Sequence, residues 1–234
     1  MEKQPRHNQW WRIRSRLARE CLAEAAGCFI MMALVNGGIA QVVLGDGKKG
    51  DYLASALGSG VAIMLGIHAS GGISGGHLNS TITFSLAVYG RFPWKKVPFY
   101  NASQVIGSFL GAAAAFVIFY PALNEFDPDR TVNKTAGIFA TYPMHVEHQG
   151  SAFACETLAS AILIFSVFSL EDPHNMPVHP ATRTLTIGLL VMVLILSFGM
   201  PTGVAMNLAR DFGPRLFTAV AGWGVDVFTT ANYY

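Results

Sequence analysis

Two short segments, GGHLNST at Gly75 to Thr81 and GVAMNLA at Gly203 to Ala209, carry Asn79 and Asn207 at matching positions. Each asparagine ends a Gly-containing stretch and reads as the residue that opens a short helix, the place of an N-cap. A second pair repeats with the first. Glu24 precedes Asn79 by nearly the same interval as Glu156 precedes Asn207. A helix N-terminus carries unpaired N–H groups and about half a positive charge. Two such ends brought together repel cations and protons. The amides of Asn79 and Asn207 can donate to a neutral polar molecule, and the carbonyls of the loops ahead of them offer acceptors. A different chemistry, an intramembrane hydrolase using Ser80 with His77, is weaker: their closeness on one loop does not itself put a base on a hydroxyl, and no orienting acid accompanies it. His77 reads as a loop hydrogen-bonding residue, with a pH gate as the alternative that its ordinary pKa allows.

The elements that must hold these loops are apolar. Of 234 residues 52% are hydrophobic and 13% charged, against about 25% charged in an ordinary soluble domain. The charges are missing in blocks. Ala25 to Leu44, Tyr52 to Gly90, Val97 to Asn124 and Thr184 to Ala209 hold no Asp, Glu, Lys or Arg, and Gly150 to Leu170 carries only Glu156. About 20 apolar residues cross a bilayer core, so the chain reads as an all-α integral membrane protein. Disorder, a disulfide scaffold and nucleic-acid binding are excluded, and no metal or other cofactor is expected. Cys21, Cys28 and Cys155 read as small buried hydrophobes.

The block from Tyr52 to Gly90 is too long for one crossing and is broken by Gly71, Gly72, Gly75 and Gly76. It reads as one span, a re-entrant loop and a half-helix near 79–90 capped by Asn79; the second half-helix falls near 207–217. Non-helical backbone at membrane depth is tolerated only where it is buried in protein or lines a water-filled cavity. Three spans per repeat is an odd number, so the second copy is inverted and the half-helices meet near the midplane. The expected organisation is a basic cytoplasmic N-terminus over 1–19, a first repeat over 20–124, an extracellular loop over 125–149 and an incomplete second repeat of two spans and a half-helix over 150–234. Lys3, Arg6, Arg12, Arg14, Arg16 and Arg19 put the N-terminus in the cytoplasm by the positive-inside rule, with Arg91, Lys95, Lys96 and Arg183 on the same side and Trp10 and Trp11 at the interface. The loop between the third and fourth spans then lies outside and holds the glycosylation sequon Asn133-Lys134-Thr135. Carboxylates at membrane depth are functional by default; with no chain of further acids beside them, Glu24 and Glu156 read as loop braces rather than a proton relay.

The duplicated asparagine loops, AMNLARDFGPRLFTAVAGWG at Ala205 to Gly224 and AGIFATYP at Ala136 to Pro143 resemble the aquaporin (major intrinsic protein) family, specifically its vertebrate aquaglyceroporin branch. The resemblance runs from about Arg16 to the last residue. It implies a right-handed bundle built as an inverted repeat around two re-entrant half-helices, and a passive channel for water and small neutral polyols such as glycerol that excludes ions. It also implies loop bracing by Glu24 and Glu156, and a pore lined by the backbone of Gly75, Gly76, His77, Gly203, Ala205 and Met206. A homotetramer in the plasma membrane is the assembly it implies. Asp211 after Arg210 matches the mark of polyol-conducting members. Alignment on the asparagines puts Ser59, Ile195, Val204 and Arg210 at the selectivity filter.

The departures are informative. The family's Asn-Pro-Ala boxes read Asn79-Ser80-Thr81 and Asn207-Leu208-Ala209, and loss of the N1 proline should loosen each half-helix start. Ser59 removes an aromatic wall from the filter, and Ile195 fills space where glycine is usual. The last uncharged run, Leu216 to Val225, would make only about 15 Å of helix, so five spans are expected, with the C-terminus outside. An alternative reading is a non-conducting relative that at most associates with full-length paralogues.

Overall fold

The computed structural model describes residues 12–144 and 148–230; Lys3, Arg6, Trp10 and Trp11 lie outside them. Five helices are long and apolar enough to cross a membrane: α1 (Arg16–Leu44), α2 (Tyr52–Ser74), and, after the short α3 (Ser80–Val88), α4 (Val97–Phe126), then α6 (Gln149–Glu171) and α7 (Arg183–Thr202). Between α4 and α6 lies the single turn α5 (Val132–Thr135); α8 (Leu208–Thr218) and α9 (Asp226–Thr229) follow α7. The expected all-helical architecture with two half-helices and five full spans is what the chain adopts.

Local chemistry explains where these helices start and stop. Ser15 and Asp51 cap α1 and α2 by accepting from the N–H groups of Ala18 and Ala54. α2 and α7 end on Gly75 and Gly203, both in the left-handed region, at φ 95° and 81°. That conformation carries no steric penalty for glycine, and it turns each chain back into the bundle. Leu216 to Val225 is not straight: α8 runs through Thr218, and the next turn bends at Gly222, φ 120°.

Close helix packing relies on small residues, as it does where lipid supplies no hydrophobic drive between helices. α2 crosses α7 at Gly60 and Gly188, where a Cβ on either would lie 2.6 Å from the other's carbonyl oxygen. α4 lies on α1 through Gly107 and Gly111. At one end of the bundle Glu20 bonds Lys96 at 2.6 Å and Arg16 at 2.8 Å, and Arg91 lies over the Phe168 ring. At the other, Arg130 sits against the rings of Phe116, Tyr120 and Trp223, while the buried Asp127 accepts from Thr131 and Thr135. The first end is called basic below and the second the loop end.

A Cβ at Gly107 would lie 2.2 Å from the Ala25 carbonyl oxygen, a backbone atom that cannot swing aside. Gly107→Leu should therefore cost at least about 2 kcal/mol, read as an earlier thermal aggregation midpoint in detergent. Gly38→Ala, with nothing within 4 Å, should leave that midpoint unchanged or raise it.

Candidate pore and asparagine junction

The two re-entrant loops are held by the two carboxylates. Glu24 is fully buried. Its Oε1 accepts from the Ser74 hydroxyl at 2.6 Å and the His77 N–H at 3.0 Å, and its Oε2 from the Leu78 N–H and the Gln104 amide, both at 2.8 Å. Glu156 repeats most of this set, accepting from the Thr202 hydroxyl at 2.6 Å, the Ala205 N–H at 2.9 Å and the Met206 N–H at 3.0 Å. These bonds hold strained backbone: Leu78 and Met206, at equivalent positions, both have φ 50°, and Val204 has φ 43°. Left-handed conformations at bulky residues cost of order 1–3 kcal/mol each and persist only where their surroundings over-determine them. The carboxylates provide that determination.

Each loop delivers its asparagine to a half-helix start. Asn79 Oδ1 accepts from the N–H groups of Thr81 at 2.7 Å and Ile82 at 3.2 Å; Asn207 Oδ1 accepts from Ala209 at 3.0 Å and Arg210 at 3.3 Å. The amide nitrogens then cross over. Asn79 Nδ2 donates to the Met206 carbonyl at 3.0 Å and Asn207 Nδ2 to the Leu78 carbonyl at 2.8 Å. Each asparagine thus ties its own helix to the residue preceding the other asparagine. Since a primary amide has two N–H groups, each retains one beyond this tie.

The expectation that Ser80 loosens its half-helix needs correction. The N–H that proline would lack donates to Asn207 Oδ1 at 3.4 Å, and the Ser80 hydroxyl donates to Gln104 Oε1 at 3.1 Å. Ser80 therefore adds ties where proline has none. These bonds also bear on hydrolase chemistry: the His77 Nδ1 partner is the Thr83 hydroxyl at 3.1 Å, not Ser80.

A cavity of about 560 Å³ extends from Glu171 and Arg183 at the basic end to Tyr52 and Tyr142 at the loop end. Asn79 and Asn207 line it, as do Gly75, Gly76, His77, Gly203, Ala205 and Met206. So do Ser59, Ile195, Val204 and Arg210, the residues aligned above with a filter. On α2 its lining is Tyr52, Ser55, Ser59, Ile63 and Ile67, and on α7 it is Arg183, Ile187, Val191 and Ile195, one stripe per helix at helical spacing. Arg210 Nη1 donates to the Phe139 carbonyl at 3.3 Å. Asp211 is not among the lining residues; it accepts from Thr141 and Arg215 and fastens the loop after α5 to α8. Above it, burial pushes the Tyr142 phenol up to about 12, so it stays neutral at physiological pH.

Four participants had no role evident from the chain pattern. Gln104 bonds Glu24, Ser80 and Thr83 from α4. Tyr52 donates to the Ile195 carbonyl at 2.6 Å, tying α2 to α7 beside the aligned filter residues. Glu171 and Arg183 pair at the basic mouth. The available signals were weak: Gln104 sits among the polar residues Asn101 and Ser103, and Tyr52 opens its block directly after Asp51. Asn133, by contrast, lies exposed on α5 as the sequon expects, but Thr135 of that sequon is buried and bonded to Asp127 and Trp223.

A helical membrane protein with two asparagine-capped half-helices meeting inside a bundle belongs to a narrow class of folds. The chain belongs to the major intrinsic protein family, whose model matches residues 12–228. Aquaglyceroporin-2 of Rhizophagus irregularis is 44% identical over 229 residues, which cover 96% of this chain and 72% of that protein. Human Aquaporin-9 is 40% identical over 226 residues, covering 95% of this chain and 77% of the relative. The X-ray structure of the aquaglyceroporin from Plasmodium falciparum superposes with a TM-score of 0.82 at 27% identity, covering 93% of this chain and 87% of that one.

The two braces are unequal. Glu24→Leu takes an acceptor from four donors in a fully buried site, Glu156→Leu from three in a half-buried one, and in each case two of them are loop N–H groups. With each unsatisfied buried group costing about 1–3 kcal/mol, Glu24→Leu should lower the thermal midpoint of the purified protein more than Glu156→Leu. Equal midpoints would contradict the difference.

Proposed function

We propose that this chain is a passive channel for water and small neutral polyols such as glycerol, and that it excludes ions and protons. The observation that carries the proposal is the reciprocal asparagine junction lining a cavity that reaches both ends of the bundle. Membership of the family, with relatives named aquaporins and aquaglyceroporins, supports a channel for water and small solutes in a membrane. No catalytic role is assigned to any residue.

Asn79 and Asn207 each offer an N–H to a passing hydroxyl or water, while two helix N-termini face the same point. A neutral solute replaces its hydrogen bonds stepwise there. A cation loses its hydration and meets positive dipole ends. Ser59, Ile195, Val204 and Arg210 form the filter in this proposal: Arg210 supplies a fixed positive charge and paired donors, and Ile195 with Val204 supplies the apolar wall that favours a carbon backbone. Ser59, whose hydroxyl donates to the Ser55 carbonyl at 2.8 Å, leaves space on the opposite side. Asp211 keeps Arg210's helix in register through Thr141.

The same proposal sets the N-terminus and the basic end in the cytoplasm, with the loop end and Asn133 outside at the plasma membrane, and the functional unit as a homotetramer with one pore per chain. Its test is stopped-flow light scattering on proteoliposomes. Osmotic shrinkage and glycerol-driven reswelling should both exceed those of empty vesicles; background rates from monodisperse protein would overturn the proposal. Asn207→Leu should reduce both fluxes at least about tenfold, the loss of roughly one hydrogen bond at the junction. Arg210→Ala should raise permeability to solutes larger than glycerol. An unchanged solute profile would remove Arg210 from the filter.

A further inference from the structure

α2 starts at the loop end and α7 at the basic end, so the two run antiparallel, and they cross where Gly60 meets Gly188. Tyr52 lies eight residues before Gly60, and Ile195 seven after Gly188. At 1.5 Å per residue these are about 12 and about 10 Å from the crossing, both toward the loop end. Tyr52 and Ile195 are therefore level. Ser59, next to the crossing, lies about 9 Å deeper than Ile195 by the same measure.

The contact between the level pair is built for a phenol. The Tyr52 hydroxyl donates to the Ile195 carbonyl at 2.6 Å, and among the described residues this is the only side-chain hydrogen bond joining α2 to α7. In a regular helix that carbonyl also accepts from the N–H four residues on, which belongs to Gly199, and its second lone pair is free for the phenol. Gly199 supplies the room: a Cβ there would lie 1.8 Å from the phenol oxygen and 3.0 Å from Cζ. The Ser59 hydroxyl, by contrast, turns back on the Ser55 carbonyl of its own helix. With its hydroxyl bonded, Tyr52 presents ring carbon to the cavity that it and Ile195 both line.

We propose that Tyr52 is a specificity-determining residue of the pore: its ring, held to α7 in the notch at Gly199, is the α2 wall at the level of Ile195 and sets the longest polyol that passes. The inference rests on the channel reading and adds to it a residue that alignment on the asparagines does not pick out. A ring bonded to the neighbouring helix cannot swing aside as a solute enters, and discrimination by size needs a wall that stays in place. Gly199 is the positioning residue for that wall. It acts only through the phenol.

The test is reswelling of proteoliposomes in glycerol and in erythritol, read as the erythritol-to-glycerol permeability ratio. Tyr52→Phe keeps the ring but frees it, and should raise the ratio about two- to tenfold, the equivalent of one hydrogen bond. Tyr52→Ala should raise it further. Gly199→Ala should raise the ratio in the otherwise unaltered chain and be silent in Tyr52→Ala, where no phenol meets the new methyl group. Gly107→Leu, which strains the contact of α1 with α4, should lower the thermal midpoint without moving the ratio, so general loosening is told apart from loss of the wall. An unchanged ratio in Tyr52→Phe and Tyr52→Ala, or a Gly199→Ala effect that persists without the phenol, would overturn the inference. Background flux of both solutes from the unaltered chain is instead the failure of the channel reading, and the wall is then read without flux. Ser59→Cys protein in detergent is alkylated with N-benzylmaleimide and with N-methylmaleimide, and the rates at that residue are followed by mass spectrometry. Adding Tyr52→Phe should raise the benzyl-to-methyl rate ratio, and an unchanged ratio there overturns the inference by itself.

Discussion

The structure depends on two carboxylates holding backbone N–H groups at membrane depth. A loop in that position has no water to satisfy it, and each unpaired group would cost several kcal/mol. Glu24 and Glu156 solve this by accepting from the N–H groups of consecutive loop residues, His77 and Leu78 in one repeat and Ala205 and Met206 in the other. Once those bonds exist, left-handed backbone at Leu78 and Met206 becomes tolerable. The chain can then turn inside the bundle and start a helix there.

Everything nearer the pore follows from that placement. The loops bring Asn79 and Asn207 together, and the crossed amide-to-carbonyl bonds lock the two helix starts at one point. Packing around them is done by small residues, Gly60 against Gly188 and Gly107 against Ala25, which let whole helices approach within backbone contact. A cavity remains because α2 and α7 turn regular stripes of medium-sized side chains toward it. The repeat is incomplete in one respect: α4 supports Glu24 through Gln104, while no described helix does so for Glu156.

The parts of this arrangement that occur twice were legible in the chain. Asn79 with Asn207 and Glu24 with Glu156 stand out because a matched spacing separates them from single polar residues with ordinary roles. The spans were legible from missing charge, and the re-entrant loops from glycine clusters within runs too long for one helix. Gln104 and Tyr52 were not, since neither repeats in the other half of the chain at a matched spacing and only its partner across the bundle gives it meaning. Asp211 was legible only as a family mark of polyol-conducting members; its structural work, accepting from Thr141 and Arg215, was not. The effect of losing proline at position 80 was also beyond sequence, because the compensating partners, Asn207 and Gln104, lie far away in the chain.

The central claim is that two opposed helix N-termini at the junction pass neutral molecules and reject charge. It is tested most directly by measuring water and proton movement in the same proteoliposomes, using osmotic shrinkage and an entrapped pH-sensitive dye under an imposed pH gradient. The account predicts water permeability well above that of empty vesicles, with proton leak at the empty-vesicle rate. A proton leak that rises in proportion to water permeability would contradict it, because the junction would then conduct along a water chain that its dipoles fail to break.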